Sequence, residues 1–182
     1  GNSQKDGGND VIHNTGAIAV TGTVATTGNV NLTASEAITE SSSGQIIDAA
    51  LLTTQSTGGQ TLTGENMVNA FNATNAGGGN IELTNTDEAL KLIAISQTDG
   101  GNVTLNNTGT IAVTGTVATT GNVNLIASEA ITESGAGRVI NAAVLTTQST
   151  GGQTLTGANT VKAFNATNSG SGEIQLINSA AE

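Results

Sequence analysis

The stretch from Asn14 to Thr86 recurs as Asn107 to Ser179 with no insertion or deletion, displaced by 93 residues. About three-quarters of the paired positions are identical. Further out, Asp6-Gly7-Gly8-Asn9 returns as Asp99-Gly100-Gly101-Asn102 and Ser3-Gln4 returns as Ser96-Gln97, so the chain is two copies of one unit. A long repeat without gaps places every residue in a lattice whose spacing matters. That is the mark of a stacked architecture and not of two flexibly tethered domains.

A shorter beat runs inside each copy. Gly-x-(Val or Ile)-x-Leu occurs at Gly28–Leu32, Gly79–Leu83, Gly101–Leu105, Gly121–Leu125 and Gly172–Leu176. Its two apolar residues flank one polar residue, the period-2 alternation of a half-buried strand, so Val30 and Leu32 point inward and Asn31 outward. Looser versions begin at Gly8, Gly44, Gly59, Gly137 and Gly152, with successive starts about 20, 16, 15, 20 and 22 residues apart. Five such steps close one copy, with a mean near 19 residues, the size of one coil of a parallel β-solenoid. Antiparallel hairpins would not need corresponding residues at near-constant spacing. At about 4.8 Å per coil, ten coils give a rod on the order of 48 Å long and one copy about 24 Å. If the two short intervals form one enlarged coil, four coils per copy remain.

The same strand chemistry recurs elsewhere. Ile18, Val20 and Val24 return as Ile111, Val113 and Val117; Ile38 as Ile131; Leu62, Val68 and Phe71 as Leu155, Val161 and Phe164. Gln45–Leu52 has the Ala and Leu content of a helix. Eight residues between Gly44 and Thr53-Thr54 make a marginal helix, however, and the counterpart Arg138–Leu145 gains β-branched valine, so both read as strand. Changes between the copies support an apolar interior. Leu51 becomes Val144 while Ile81 and Leu83 are kept, whereas Glu65 becomes Ala158, Asn69 Lys162, Glu82 Gln175 and Asp48 Asn141.

The residue after each glycine start is Asn9, Asn29, Gln45, Gln60, Asn80, Asn102, Asn122, Arg138, Gln153 or Glu173. Stacked amides can bond along the axis as a ladder. Alternatively, asparagine simply suits the corner beside a glycine.

Composition narrows the partners. Phe71 and Phe164 are the only aromatics, and Trp, Tyr, Pro and Cys are absent, so the core must be a thin, regular layer of small aliphatic residues. Regularly spaced Val, Ile and Leu argue against a disordered chain. A net charge of −10, with Lys5, Lys91, Arg138 and Lys162 scattered, opposes nucleic acid and anionic membrane. No apolar run reaches the roughly 20 residues of a membrane span, and GNSQKDGGND has no signal-peptide pattern. Lack of cysteine fits a secreted or a cytosolic chain equally.

Few residues invite catalysis. His13 is the only histidine and its counterpart is Asn106, so neither a His-based triad nor a multi-histidine metal site can be assembled. Glu36 with Glu40, and Glu129 with Glu133, are carboxylate pairs of the kind glycosidases use. They lack a neighbouring Arg, Lys or aromatic platform, and their duplication reads as architecture. Asp6 and Asp99, in Asp-Gly-Gly-Asn, resemble calcium-binding nonapeptide turns, but the acid recurs once per copy and reads as a corner. Thr-x-Thr at Thr21/Thr23, Thr61/Thr63, Thr114/Thr116 and Thr154/Thr156 lacks the consecutive ranks of an ice-binding face. The Asn-x-Thr tripeptides at Asn31, Asn72, Asn106 and Asn165 are those expected by chance at this composition. The expectation is that catalytic, cofactor and metal residues are all absent, and that the chain is no enzyme.

Runs such as GNVNLTASEAITESSSGQI, LLTTQSTGGQTLTG, FNATNAGGGNIELTNT and SQTDGGNVTLNNTG resemble the repeat region of filamentous haemagglutinin-like bacterial surface proteins, the two-partner secretion adhesins. The resemblance covers nearly the whole chain as a style of repeat, without that family's secretion domain. It implies an all-β fold, a right-handed parallel β-helix, with the handedness also general to parallel crossovers. The expectation is one continuous solenoid of about ten coils, copy one over 1–95 and copy two over 96–182, cut from a much longer chain. The implied function is the structural shaft of an extracellular adhesin or fibre at the bacterial cell surface. Its partners would be further copies stacked end to end and, as a further possibility, a host or cell-surface glycan. The alternatives are a carbohydrate- or cation-binding module and, remotely, a polysaccharide-degrading solenoid enzyme.

Overall fold

The computed structural model describes residues 2–4, 7–41 and 47–179. The expected corner at Gly44, the ladder member Gln45 and the acid Asp6 lie outside the described residues. Every regular element among the described residues is a strand and every strand pairing is parallel. The fold is a parallel β-solenoid. Of the stretch read as strand in place of helix, the described part, residues 47–52, lies in the strand Ile47–Ser56, and the counterpart falls in Arg138–Ile140 and Val144–Ser149 with a break at 141–143.

Three columns of strands run along the axis, and each coil passes through all three. The second column stacks Ile18, Ile38, Gln60, Ile81, Val103, Val123, Leu145 and Phe164 one above another. Its members are 20, 22, 21, 22, 20, 22 and 19 residues apart. The first column stacks Asp10, Val30, Leu52, Phe71 and Leu92. The third holds Val24 and Ile47 near one end and Leu90, Ile111, Ile131, Gln153 and Ile174 towards the other. The rod therefore has about eight coils, fewer than the ten expected.

The repeat and the coil are out of step. Column two is revisited at Ile38, Gln60, Ile81 and Val103, four coils on from Ile18, and the chain then reaches Ile111, the copy of Ile18, one face further on in column three. Val30 likewise lies in column one and its copy Val123 in column two. One repeat is thus four coils and a third. It advances about 21 Å along the axis, not 24 Å, and turns the whole pattern by one face of three. The glycine beat misled the count because a Gly corner opens a strand on any face. Gly28 precedes a column-one strand, Gly79, Gly101 and Gly121 precede column two, and Gly172 precedes column three.

Alternation fixes which residues fill the interior. Val30 and Leu32 are fully buried and Asn31 is exposed, as their spacing requires. Leu51 and Val144 are a correction: both are only half-buried, because the inward phase belongs to Leu52 and Leu145. The copies also differ in one strand register. Val24 pairs with Ile47, whereas Val117 pairs with Val139, one position earlier than the repeat demands. The extra residue is taken up at Asn141, whose φ of 63° is left-handed; asparagine tolerates that geometry better than most residues, and the first copy has Asp48 there.

Corners need glycine where backbones nearly touch. A Cβ on Gly101 would lie 1.8 Å from the carbonyl oxygen of Gly79 one coil below, while a Cβ on Gly78 would meet nothing within 4 Å. Gly101→Ala is therefore expected to destabilise the fold by more than about 1 kcal/mol, and Gly78→Ala to be close to neutral. Denaturant melts of the two variants check the pair.

Candidate functional site: polar ladders inside the corners

Where a strand ends, its inward side chain no longer meets a flat sheet, and backbone N–H and C=O groups of the turning chain lose their ladder partners. Buried backbone groups must be paired. Here the inward position at the end of a strand is often an amide or an acid, and these side chains supply the missing partners.

After column two the corner carries Glu40, Asn66, Asn85 and Asn107, coil upon coil. Ile47 N–H donates to Asn66 Oδ1 (2.9 Å) and Val68 N–H to Asn85 Oδ1 (2.8 Å). Asn85 Nδ2 donates to Val68 O (3.1 Å) and to Asn107 Oδ1 (3.0 Å), and Asn107 Nδ2 closes on Thr110 O (2.8 Å). Asn66, Asn85 and Asn107 are at most 1% exposed. A second ladder follows column one: Ser56 Oγ donates to Asn75 Oδ1 (2.8 Å), and Asn75 Nδ2 donates to Gln97 Oε1 (2.8 Å). Gln60 braces it, accepting from Thr54 Oγ1 and donating to Ser56 Oγ.

The first ladder is rebuilt one face over. Glu133, Asn159 and Asn178 follow column three, with Val139 N–H donating to Asn159 Oδ1 (2.6 Å) and Val161 N–H to Asn178 Oδ1 (2.8 Å). Equivalent side chains thus do identical work at different corners of the prism.

Glu40 and Glu133 are the lowest members of these stacks. Oε2 of Glu40 accepts from Gly64 N–H (2.7 Å) and Asn66 Nδ2 (3.1 Å); Oε2 of Glu133 accepts from Gly157 N–H (2.7 Å) and Asn159 Nδ2 (2.9 Å). In each, Oε1 is buried with no hydrogen-bond partner. Burial raises both carboxyls above the ordinary glutamate value, and the bonds to Oε2 offset only part of that rise.

The carboxylate pairs seen in the sequence are not brought together as acid and base. Glu36 and Glu129 sit exposed on the corners before their strands, where their backbone carbonyls accept from Thr57 and Gly58 and from Thr150 and Gly151. Glu40 is largely turned into the fold and Glu133 is 8% exposed. His13 and Asp99 are exposed. Thr21, Thr23, Thr61, Thr63, Thr154 and Thr156 are exposed as well, and Thr114 and Thr116 half-buried.

The outer amides form a ladder of a different kind from the one expected. Asn29 N–H donates to Asn9 Oδ1 (3.0 Å), Asn102 N–H to Asn80 Oδ1 (3.0 Å) and Asn122 N–H to Asn102 Oδ1 (2.9 Å), so each side chain holds the backbone of the next coil. Gln60 and Gln153 instead turn inward and are 1% exposed. Outside column two, Asn102, Thr104, Asn122, Asn124, Val144 and Thr146 line a shallow groove of about 330 Å³, and Asn124 Oδ1 is buried there without a hydrogen-bond partner. Among the described residues no cluster of three or more acidic, His or Cys side chains is placed to hold a metal ion.

The inner ladders were missed, although their signal is present: extending the inward alternation by one step past Leu83, Leu105 or Ala73 lands on Asn85, Asn107 and Asn75.

Fold and corner chemistry together define a three-faced parallel β-solenoid braced by internal amide stacks. No known family, curated protein or solved structure matches the chain.

Asn85→Ala leaves both Val68 backbone groups and Asn107 Oδ1 without their partner, and is expected to cost about 1–3 kcal/mol, read by denaturant titration. The glutamates set a pH dependence. A carboxyl raised in the folded state makes the fold bind protons more readily than the unfolded chain, so stability grows as pH falls from neutral towards 4.5. The double variant Glu40→Gln with Glu133→Gln is expected to lose this acid-side gain relative to wild type. Thermal melts at pH 7 and pH 5 compare them.

Proposed function

We propose that this chain is rod: the structural, non-catalytic shaft of an extracellular bacterial adhesin or fibre, in which length and stiffness are the function. The observation that carries this reading is the join between the copies. Ile81–Asn85 of the first copy is covered by Val103–Asn107 in unbroken register, so repeats add to one ladder and do not close into separate bodies. Every added repeat extends the axis by a fixed step, which is how a chain builds reach. The style of the repeats, similar to that of filamentous haemagglutinin-like surface proteins, supports placing the shaft outside the cell. Stacking on further copies fits the same geometry.

A second reading is favoured by the groove around Asn122 and Asn124. Amides and hydroxyls at the strand spacing can contact a neutral glycan, and in that reading the solenoid is a carbohydrate-binding module. Glycan-array binding that disappears in Asn124→Ala would establish it.

The shaft reading is tested on the native object by electron microscopy of surface material labelled with antibody to this chain. The expected image is a thin fibre with a strand spacing near 4.8 Å and a periodicity near 21 Å. Label confined to the cell interior, or on compact particles, sinks the proposal.

A further inference from the structure

The corner that follows column three at Glu133 holds a charge that the fold answers on one side only. Glu133 is 8% exposed, and its Oε2 accepts from Gly157 N–H (2.7 Å) and from Asn159 Nδ2 (2.9 Å). Those two donors hold the carboxylate in place. Its other oxygen, Oε1, is buried and has no hydrogen-bond partner. Glu133 also lines a cavity of about 130 Å³, together with Ser134, Gly135, Gly137, Thr156 and Gly157.

The walls of this cavity differ. On one side Gly137 N–H donates to Ser134 O (3.0 Å), closing a turn in which Gly135 takes a left-handed φ of 62°. Gly135 is exposed, and a Cβ added there would meet nothing within 4 Å, so the turn stands clear of the neighbouring coils. On the other side Gly157 packs so closely on Gly137 O that a Cβ would clash with it. One wall is fixed by packing and the other opens to solvent.

We propose that this cavity binds one calcium ion, with Glu133 Oε1 as the charged ligand and the hydroxyls of Ser134 and Thr156, main-chain carbonyls of the turn and water completing the shell. Every one of these donors is an oxygen, the set that hard cations take and soft metals do not. Calcium accepts an irregular shell, whereas magnesium demands a near-ideal octahedron. The volume admits the ion with a few waters, each taking about 30 Å³ in the liquid. A net charge of −10 concentrates cations around the rod. With a single carboxylate the affinity falls in the weak range, about 10⁻⁴–10⁻³ M.

The orphaned oxygen is a property of the repeat and not of one corner. Glu40, the copy of Glu133, keeps the same two kinds of bond on Oε2 and the same unpartnered Oε1, one face over. Part of the turn beside Glu40 lies outside the described residues, so the site is assigned at Glu133 alone. The inference goes beyond the shaft reading and does not depend on it, since a bound cation would brace a corner of any such solenoid.

The test is a titration of the ¹⁵N-labelled chain with calcium chloride at pH 7, with tetramethylammonium chloride at equal ionic strength as the control for screening. Saturable shifts are expected at the amides of Gly135, Gly137 and Gly157 with a midpoint between about 0.1 and 1 mM, and none with tetramethylammonium. Calcium at ten times the midpoint is expected to move the folding equilibrium towards the native state by about tenfold. Glu133→Gln, which keeps an acceptor for Gly157 and Asn159 but removes the charge, is expected to weaken binding by at least about tenfold. Ser134→Ala combined with Thr156→Val, both at exposed positions, is expected to weaken it severalfold, and decides the matter should Glu133→Gln fail to fold. Shifts confined to exposed acids such as Glu65, Glu88 and Glu129, equal responses to the two salts, or wild-type affinity in either variant would overturn the site.

Discussion

Backbone hydrogen bonds directed along the axis set every other choice in this molecule. Each strand bonds to the strands one coil above and below, so the coils are held at the single spacing that parallel pairing permits. Side chains then have no freedom to adjust height. An inward residue meets its counterparts above and below at that distance, and apolar columns such as Ile81, Val103 and Val123 satisfy it without any large aromatic core. The same spacing explains why Gly101 must be glycine: the carbonyl of Gly79 occupies the space a Cβ would take.

Corners are where that regularity would fail, and the polar stacks are the response. A turning backbone leaves donors and acceptors facing inward, out of reach of water. Asn66 and Asn85 reach both along and across the stack, binding the backbone of one coil while touching the side chain or carbonyl of another. Glu40 and Glu133 do this less well, since each uses one oxygen and leaves the other buried without a partner. Burying a carboxylate in that state opposes folding at neutral pH, and the gain offsetting it is the anchoring of Gly64 and Gly157 at tight corners.

Much of the fold was legible because a half-buried strand writes its orientation into alternating residues. Val30, Leu32, Ile38 and Phe71 could be placed inside from spacing alone, and the strand in Ile47–Ser56 from its flanks and its copy. The coil count was legible only as an alternative: the glycine beat gives five steps per copy, and merging its two short intervals gives four, close to the four and a third observed. Gly-x-(Val or Ile)-x-Leu marks the start of a strand, and nothing in those five residues records which of three faces the strand occupies. The conservative change of Leu51 to Val144 suggests an inward position, but alternation does not say which of two adjacent leucines takes that phase; the pairing of Leu52 with Val30 decides it. The inner amides escaped notice because asparagine is expected at turns on the surface. Only the register shows that Asn85 lies over Asn66 and beneath Asn107.

The one-face offset of the repeat bears on mechanics. A three-sided prism whose sides differ in packing bends more easily in one direction than in another, because its softest side yields first. In this chain the strands that form column one in the first copy form column two in the second, as Val30 and Val123 show. A weak side of the first copy is therefore not continued into the second but handed on to the next face. The softest direction of the first copy is thereby turned by a third of a revolution in the second, so the two copies do not share one plane of easy bending.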